Sequence, residues 1–346
     1  MKAKRTISVV GCHAEGEIGD VIVGGVLAPA GATVFEKMQT MQREHDGIRR
    51  LLLCEPRGSV CRHVNLLIPA VSPGCQVGVI IMEPTEYVPS SGSNLICVTT
   101  VLLETGMVPM QEPQTRVTIE APGGPVVARA TCRDGKCVSV ELEIVPAFVE
   151  RLDAMLVVPG VGTVGADIAY GGMFYAIVDA TRHGVRVDAS EARELAVFGE
   201  RVRRAAREQL NVVHPENRGI AGVSIVQLNR PFEGVGKVTR NTCIVAPGRS
   251  DRSPTGTGTC ARMAVLHARG QMKVGDSMVH ESLIGSQFRG RILATADVGG
   301  RPGIRPAVAG RAWITGYHHY VVDADDPYPE GYFLPDTWGV TGTISQ

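Results

Sequence analysis

A segment near residue 90 recurs near residue 254, and this recurrence constrains the fold more than any other feature of the chain. Residues 90–106 read SSGSNLICVTTVLLETG and residues 254–270 read PTGTGTCARMAVLHARG. With Ser91 set over Thr255, Gly92 falls on Gly256, Ser93 on Thr257, Val101-Leu102 on Val265-Leu266 and Gly106 on Gly270. Each copy is a hydroxyl residue, a glycine, a hydroxyl N-cap, an apolar helix and a terminal glycine suited to a left-handed helix end. The copies lie 164 residues apart, close to half of the 346-residue chain. Internal self-similarity of this kind predicts a repeated architecture of two related halves.

Leu95, Ile96, Val98 and Leu102 in the first copy, and Ala261, Ala264 and Val265 in the second, leave little polar face. A helix apolar all round is buried, so each is expected at the centre of its own half, wrapped by strands. Runs of strand length bounded by turn residues supply the wrapping: Val77–Met82, Val117–Glu120, Val138–Ile144, Ala154–Val158, Phe174–Val178 and Cys243–Ala246. The 41 glycines and 21 prolines provide the turns that many short strands need. Helical patterns are confined to Asn94–Thr105, Glu191–Gln209 and Thr257–Arg269. The second of these is amphipathic, its arginines reading as a solvated face. The expected fold class is α+β: two pseudo-symmetric domains, each a β-barrel around a central helix, with the active site in the cleft between them. Residues 1–152, joined by the tail 336–346, are expected to form the first domain and residues 153–335 the second.

Thirty-five basic residues balance thirty-five acidic ones, so nothing draws the chain toward nucleic acid or an anionic membrane. Nine cysteines without a C-x-x-C read as reduced thiols of a cytoplasmic protein. The apolar run Ile7–Val10 is too short for a secretory core and reads as a first strand, and no run is long enough to span a bilayer. Metal-ligand residue types occur in His13-Ala14-Glu15-Gly16-Glu17 and Cys61-Arg62-His63, but at no ligand spacing. His318 and His319 would point to opposite faces of a strand.

Chemistry is sought at the two helix starts. A buried helix N-terminus offers unpaired N–H donors and about half a positive charge. Two such ends facing one substrate would cradle a small carboxylate and stabilise the charge it gains when its α-proton is removed. The same pattern equally describes two capped helices. A phosphate loop is excluded, because 256–262 carry no lysine at the required place, and Ala261 spoils a dinucleotide fingerprint.

The string DRSPTGTGT with the SGSN helix start resembles the proline racemase family. AYGGMFYAIVDA (169–180), IGSQFRG (284–290) and RAWITGYHHYVVDADDPYPEGY (311–332) extend the likeness over most of the chain. The resemblance implies two domains of the diaminopimelate-epimerase type, chemistry without a cofactor, and a homodimer. In the racemases and hydroxyproline epimerases of this family a cysteine stands at both flanking positions, one to remove the α-proton and one to return it. Here those positions hold Ser91 and Thr255.

Threonine at the second position is similar to the family's trans-3-hydroxy-L-proline dehydratases, which form Δ1-pyrroline-2-carboxylate. The resemblance makes Ser91 the proton acceptor and Asp251 the partner of the ring ammonium. It assigns the backbone of Gly92, Ser93, Gly256 and Thr257 to the substrate carboxylate. Ser93 stands where family epimerases place a histidine. His13 is a candidate to accept the Ser91 proton, with a structural histidine as the other reading, and Cys97 and Cys260 read as core residues. A racemase or epimerase using Ser91, Thr255 or a nearby thiol, and a binder without chemistry, are the alternatives.

Overall fold

The computed structural model describes residues 3–338. The chain divides into two units, Met1–Leu142 with Gly310–Gln346, and Glu143–Ala309. In the first, β1 (Ala3–Ala14) and β2 (Glu17–Gly24) pair antiparallel, and α1 (Val34–Glu44) and α2 (Gly47–Leu53) cross over to β3 (Arg62–Ile68), parallel to β2. Next come β4 (Val77–Met82), antiparallel to β3, and the short β5 (Tyr87–Val88) beside it. Helix α3 (Gly92–Glu104) then returns the chain to β6 (Gln114–Ala121), parallel to β4, and β7 (Gly124–Arg133) pairs back on β6. A turn with both central residues left-handed, Asp134 and Gly135, leads to β8 (Lys136–Glu143).

The second unit repeats the plan. β9 (Ala147–Val158), β10 (Gly162–Tyr170) and β11 (Phe174–Asp179) run antiparallel, and α4 (Ala192–Gln209) crosses over to β12 (Ile225–Asn229), parallel to β11. β13 (Val238–Val245) and the short β14 (Arg249–Ser250) precede α5 (Gly256–Ala268), after which β15 (Ser277–Glu281) lies parallel to β13. β16 (Gln287–Val298) and β17 (Arg301–Gly310) follow, and β17 meets β9 at Gly303–Phe148 and Ile304–Ala147. Eight strands thereby close into a barrel, β9-β10-β11-β12-β13-β15-β16-β17. The last strand, β18 (Ala312–Asp323), belongs to the first unit and pairs along β1.

Both repeat helices are thirteen residues long. Every α3 residue from Gly92 to Leu103 is buried, as are Gly256–Ala261 and Met263–Leu266 of α5. α3 lies against β1, β2, β3, β7 and β18, and α5 against β9, β10, β11 and β16. Each is therefore the apolar axis of its own unit, and full burial of each leucine, isoleucine or valine contributes about 1.5–3 kcal/mol. So tight a sheath needs glycine at the points of closest approach. A Cβ on Gly171, in the AYGG stretch, would lie 2.2 Å from the Thr257 carbonyl oxygen and 2.5 Å from the Ala261 nitrogen. α4 buries Leu195, Phe198 and Val202 as its amphipathic pattern predicts.

Two features depart from the sequence reading. α1 and α2 form, covering the sheet with Met38, Met41, Ile48 and Leu51 over Ile22, Leu66 and Ile80. The second unit runs from 143 to 309 rather than from 153 to 335. Its first strand starts at Ala147, and residues 312–323 are drawn to the first unit by their ladder with β1. Among the described residues, no helix is long and apolar enough to cross a membrane.

Candidate active site

In the first unit the chain leaves β5 and enters α3 at Ser91, an N-cap in extended conformation (φ −151°, ψ 119°). The helical ladder starts with Leu95 N–H donating to the Ser91 carbonyl. The N–H groups of Gly92, Ser93 and Asn94 are thus those a helix leaves without an internal partner. The Ser91 side chain does not cap them. Its Oγ instead accepts a hydrogen bond from Asn94 Nδ2 at 2.9 Å.

That amide belongs to a buried chain. Asn94 Nδ2 lies 3.1 Å from His63 Nδ1, and Asn94 Oδ1 accepts from Asn65 Nδ2 at 2.8 Å. Asn65 Nδ2 also donates to the Asp20 carbonyl at 3.1 Å. A carbonyl only accepts, so it fixes which end of the Asn65 amide faces it, and hence the orientation of Asn94. His63 then accepts at Nδ1, while its Nε2 lies 3.4 Å from Glu17 Oε1. Glu83 Oε1 stands 3.8 Å from Nδ1. Glu17, His63, Asn65 and Asn94 are all buried. Gly19 makes room for the chain, since a Cβ there would sit 2.8 Å from Asn94 Oδ1.

In the second unit Thr255 caps α5 with φ 65° and ψ 108°, a left-handed conformation rare for a β-branched residue. Hydrogen bonds over-determine it. Thr255 N–H donates to Ser253 Oγ at 3.1 Å, and its Oγ1 donates to Asp251 Oδ2 at 2.7 Å. Asp251 Oδ1 accepts from the backbone and hydroxyl of Ser253 at 2.8 and 2.9 Å. The Thr255 carbonyl takes the N–H and Oγ1 of Thr259, both at 2.9 Å. Thr257 Oγ1 lies 2.6 Å from the Tyr175 hydroxyl, so the AYGGMFY stretch supports this helix start through both Gly171 and Tyr175.

The thiols near these positions are held as neutral groups. Cys243 lies within hydrogen-bond reach of the Thr255 hydroxyl, and burial pushes its thiol far up. Burial does the same to Cys260 and Cys97 in the helix interiors. A thiol so shifted supplies little thiolate.

Ser91, Gly92 and Ser93 thus sit together at one helix start, and Asp251, Thr255, Gly256 and Thr257 at the other. His13 is engaged elsewhere, its Nδ1 accepting from Gly16 N–H at 3.2 Å and its ring stacked on Trp313. The histidine on the Ser91 chain is His63. It stands in the Cys61-Arg62-His63 segment, and Glu17 of the His13–Glu17 segment is its neighbour. Asn94 could have been found from its place one helical turn after Ser91, but no spacing relates His63 or Asn65 to Ser91.

Two units, each with strands around a buried central helix and the second closed into a barrel, define a fold of the diaminopimelate-epimerase type. A methylitaconate-delta-isomerase shares it with a TM-score of 0.54 at 12% identity, over 91% of this chain and 95% of that one. A predicted epimerase from Pseudomonas aeruginosa does so with a TM-score of 0.53 at 14% identity, over 91% and 99%. These likenesses are of fold alone.

A family model described as proline racemase matches residues 9–333, and the chain belongs to the proline racemase family. A hydroxyproline epimerase from Agrobacterium vitis, solved with trans-4-hydroxy-L-proline bound, is 41% identical with a TM-score of 0.94, over 98% of each chain. A probable proline racemase from Agrobacterium radiobacter K84, with bound carbonate, is 41% identical with a TM-score of 0.93, over 96% of this chain and 98% of that one.

Proposed function

We propose that this protein is a cofactor-independent hydro-lyase that dehydrates trans-3-hydroxy-L-proline to Δ1-pyrroline-2-carboxylate. One observation carries the reading: the two hydroxyls at the helix starts have opposite hydrogen-bond polarity. Ser91 Oγ accepts from an amide and keeps its own proton for exchange, whereas Thr255 Oγ1 gives its proton to the Asp251 carboxylate. Inversion at an α-carbon needs proton exchange on both faces of the substrate. Dehydration of this substrate needs it on one face only. A 3-hydroxyl trans to the carboxylate lies on the same side of the ring as the α-hydrogen, so a single group reaches both.

A hydroxyl has one hydrogen and two lone pairs. Asn94 occupies one lone pair of Ser91 Oγ. The other takes the α-proton while the Ser91 hydrogen passes to the 3-hydroxyl. The Cα–H and C3–O bonds break, a Cα=C3 double bond forms, and water leaves; Ser91 ends neutral with a new proton. The enamine then tautomerises to the cyclic imine. Because the proton is handed on as it is received, no free alkoxide is required, which meets the weakness of an alcohol as a base. The family resemblance assigns the first-turn N–H groups of Gly92, Ser93, Gly256 and Thr257 to the substrate carboxylate and the charge it gains. Asp251 receives the ring ammonium in a charge-assisted hydrogen bond. The family resemblance adds a homodimer in the cytoplasm.

The test is incubation in D2O with trans-3-hydroxy-L-proline, trans-4-hydroxy-L-proline and L-proline. Imine formation from the first alone, lost in Ser91→Ala, supports dehydration. Deuterium entry with inversion of either of the others sinks it. That outcome would favour a second reading, epimerisation of hydroxyproline with Thr255 and Asp251 acting on the second face. The 41% identity to the Agrobacterium vitis hydroxyproline epimerase supports that alternative.

A further inference from the structure

We infer that Asn94, set by His63 and Asn65, is the positioning residue that aims Ser91 Oγ, fixing which lone pair and which hydrogen it presents. The inference rests on Ser91 being the group that takes the α-proton. It explains how a serine can do so without a base touching it.

The chain is one of fixed directions. The Asp20 carbonyl fixes Asn65, Asn65 fixes Asn94 Oδ1, and the Asn94 nitrogen must then spend its two hydrogens on Ser91 Oγ and His63 Nδ1. A neutral imidazole accepting at Nδ1 carries its proton on Nε2, which lies 3.4 Å from Glu17 Oε1. Every member of the chain is pinned from a side other than Ser91, so the amide cannot turn to offer its oxygen. Ser91 Oγ therefore always meets a donor, never an acceptor that would claim its hydrogen. Its hydrogen and remaining lone pair are left for the substrate. An amide held on one lone pair fixes the directions of the other lone pair and of the hydrogen, which is the alignment that a one-group proton relay requires.

The role of His63 is to accept. Asparagine at position 63 can place Oδ1 near the position of Nδ1 and retain the acceptor, whereas leucine cannot. Asn94→Ala and His63→Leu are expected to lower kcat on trans-3-hydroxy-L-proline by about 10- to 100-fold, the cost of a misaimed reacting group. KM is expected to move less than about threefold. The isotope effect on kcat with Cα-deuterated substrate should rise, because the slowed step is the proton transfer itself. His63→Asn should recover most of the rate. Equal impairment of His63→Asn and His63→Leu, or an unchanged isotope effect in both Asn94→Ala and His63→Leu, would overturn the inference.

Where Asn94→Ala does not yield folded protein, the His63 pair carries the test, since both variants keep Asn94. Should the wild type instead invert trans-4-hydroxy-L-proline, the same variants are read on its Cα-deuterated form. Failure of the dehydratase reading is then distinguishable from failure of the Asn94 role.

Discussion

The helix starts at Ser91 and Thr255 share their length, their following glycine and their burial, yet their hydroxyls are wired in opposite senses. Two neighbouring positions make the difference. Three residues on, Ser91 has Asn94 to donate to it, whereas Thr255 has Gly258. A Cβ on Gly258 would already stand 3.0 Å from Gln227 Nε2 and 3.2 Å from both Cys243 Sγ and Thr255 Cγ2. Four residues before, Thr255 has Asp251 to take its proton, whereas Tyr87 stands at the matching place and gives its hydroxyl proton to Asp46 at 3.0 Å. Duplicated backbone thus supplies the same N–H groups twice, and the side chains around each start decide whether its hydroxyl accepts or donates a hydrogen bond.

The strongest way to break this asymmetry is to remove the Ser91 hydroxyl, the proton acceptor of the proposed reaction. Ser91→Ala should lower imine formation by about 10²- to 10⁴-fold, the usual range for a lost acid–base group. Thr255→Ser, which keeps the bond to Asp251, should stay within about tenfold of the wild type.

Next in size is a contrast between the two buried histidines. His280, 2.9 Å from Thr259 Oγ1 in the second unit, is lowered from 6.5 to about 3 by burial. The folded protein keeps it neutral while the unfolded chain takes up a proton below pH 6.5. Its contribution to stability is therefore complete above about pH 6.5 and lost progressively down to about pH 3, at up to about 1.4 kcal/mol per pH unit. Urea unfolding between pH 7 and 4 should show this slope, and His280→Gln should flatten it.

Thr255→Cys would place a thiol at the position where the resemblance puts a cysteine of the family's epimerases. It is expected to raise inversion of trans-4-hydroxy-L-proline by about tenfold or more over the wild type, followed by polarimetry or chiral chromatography. The smallest effect is expected from Gly258→Ala, which crowds Gln227 and Thr255. It should cost about 1 kcal/mol, seen as a melting temperature lowered by about 2–4 °C.

The sequence is most legible where chemistry and pattern coincide. The repeat identifies both buried helices within two residues at each end, and Val77–Met82 matches β4 in full. Ser91, Gly92, Ser93 and Asp251, Thr255, Gly256, Thr257 are adjacent within their segments, so contiguity alone groups them. His63, Asn65 and Glu17 could not be grouped this way, since β2, β3 and α3 are brought together only by the parallel crossover through α1 and α2. Those helices were themselves hidden. Val34–Glu44 keeps only Val34, Met38, Thr40 and Met41 buried, too narrow a stripe to outweigh its polar residues. The unit boundary was misplaced because β18 looks like any other strand until its partner β1, some 300 residues earlier, is known.

That last pairing bears on how the protein is made. Residues 143–309 hold the strands of the closed barrel and its central helix. The first unit lacks β18 until residues 312–323 have left the ribosome. The inserted unit is therefore free to fold during synthesis, while its host waits with one flank of β1 uncovered. A pause or truncation just before residue 312 would release a chain with a finished insert and an unsealed host, whose open edge is the place for misassociation and for chaperone capture.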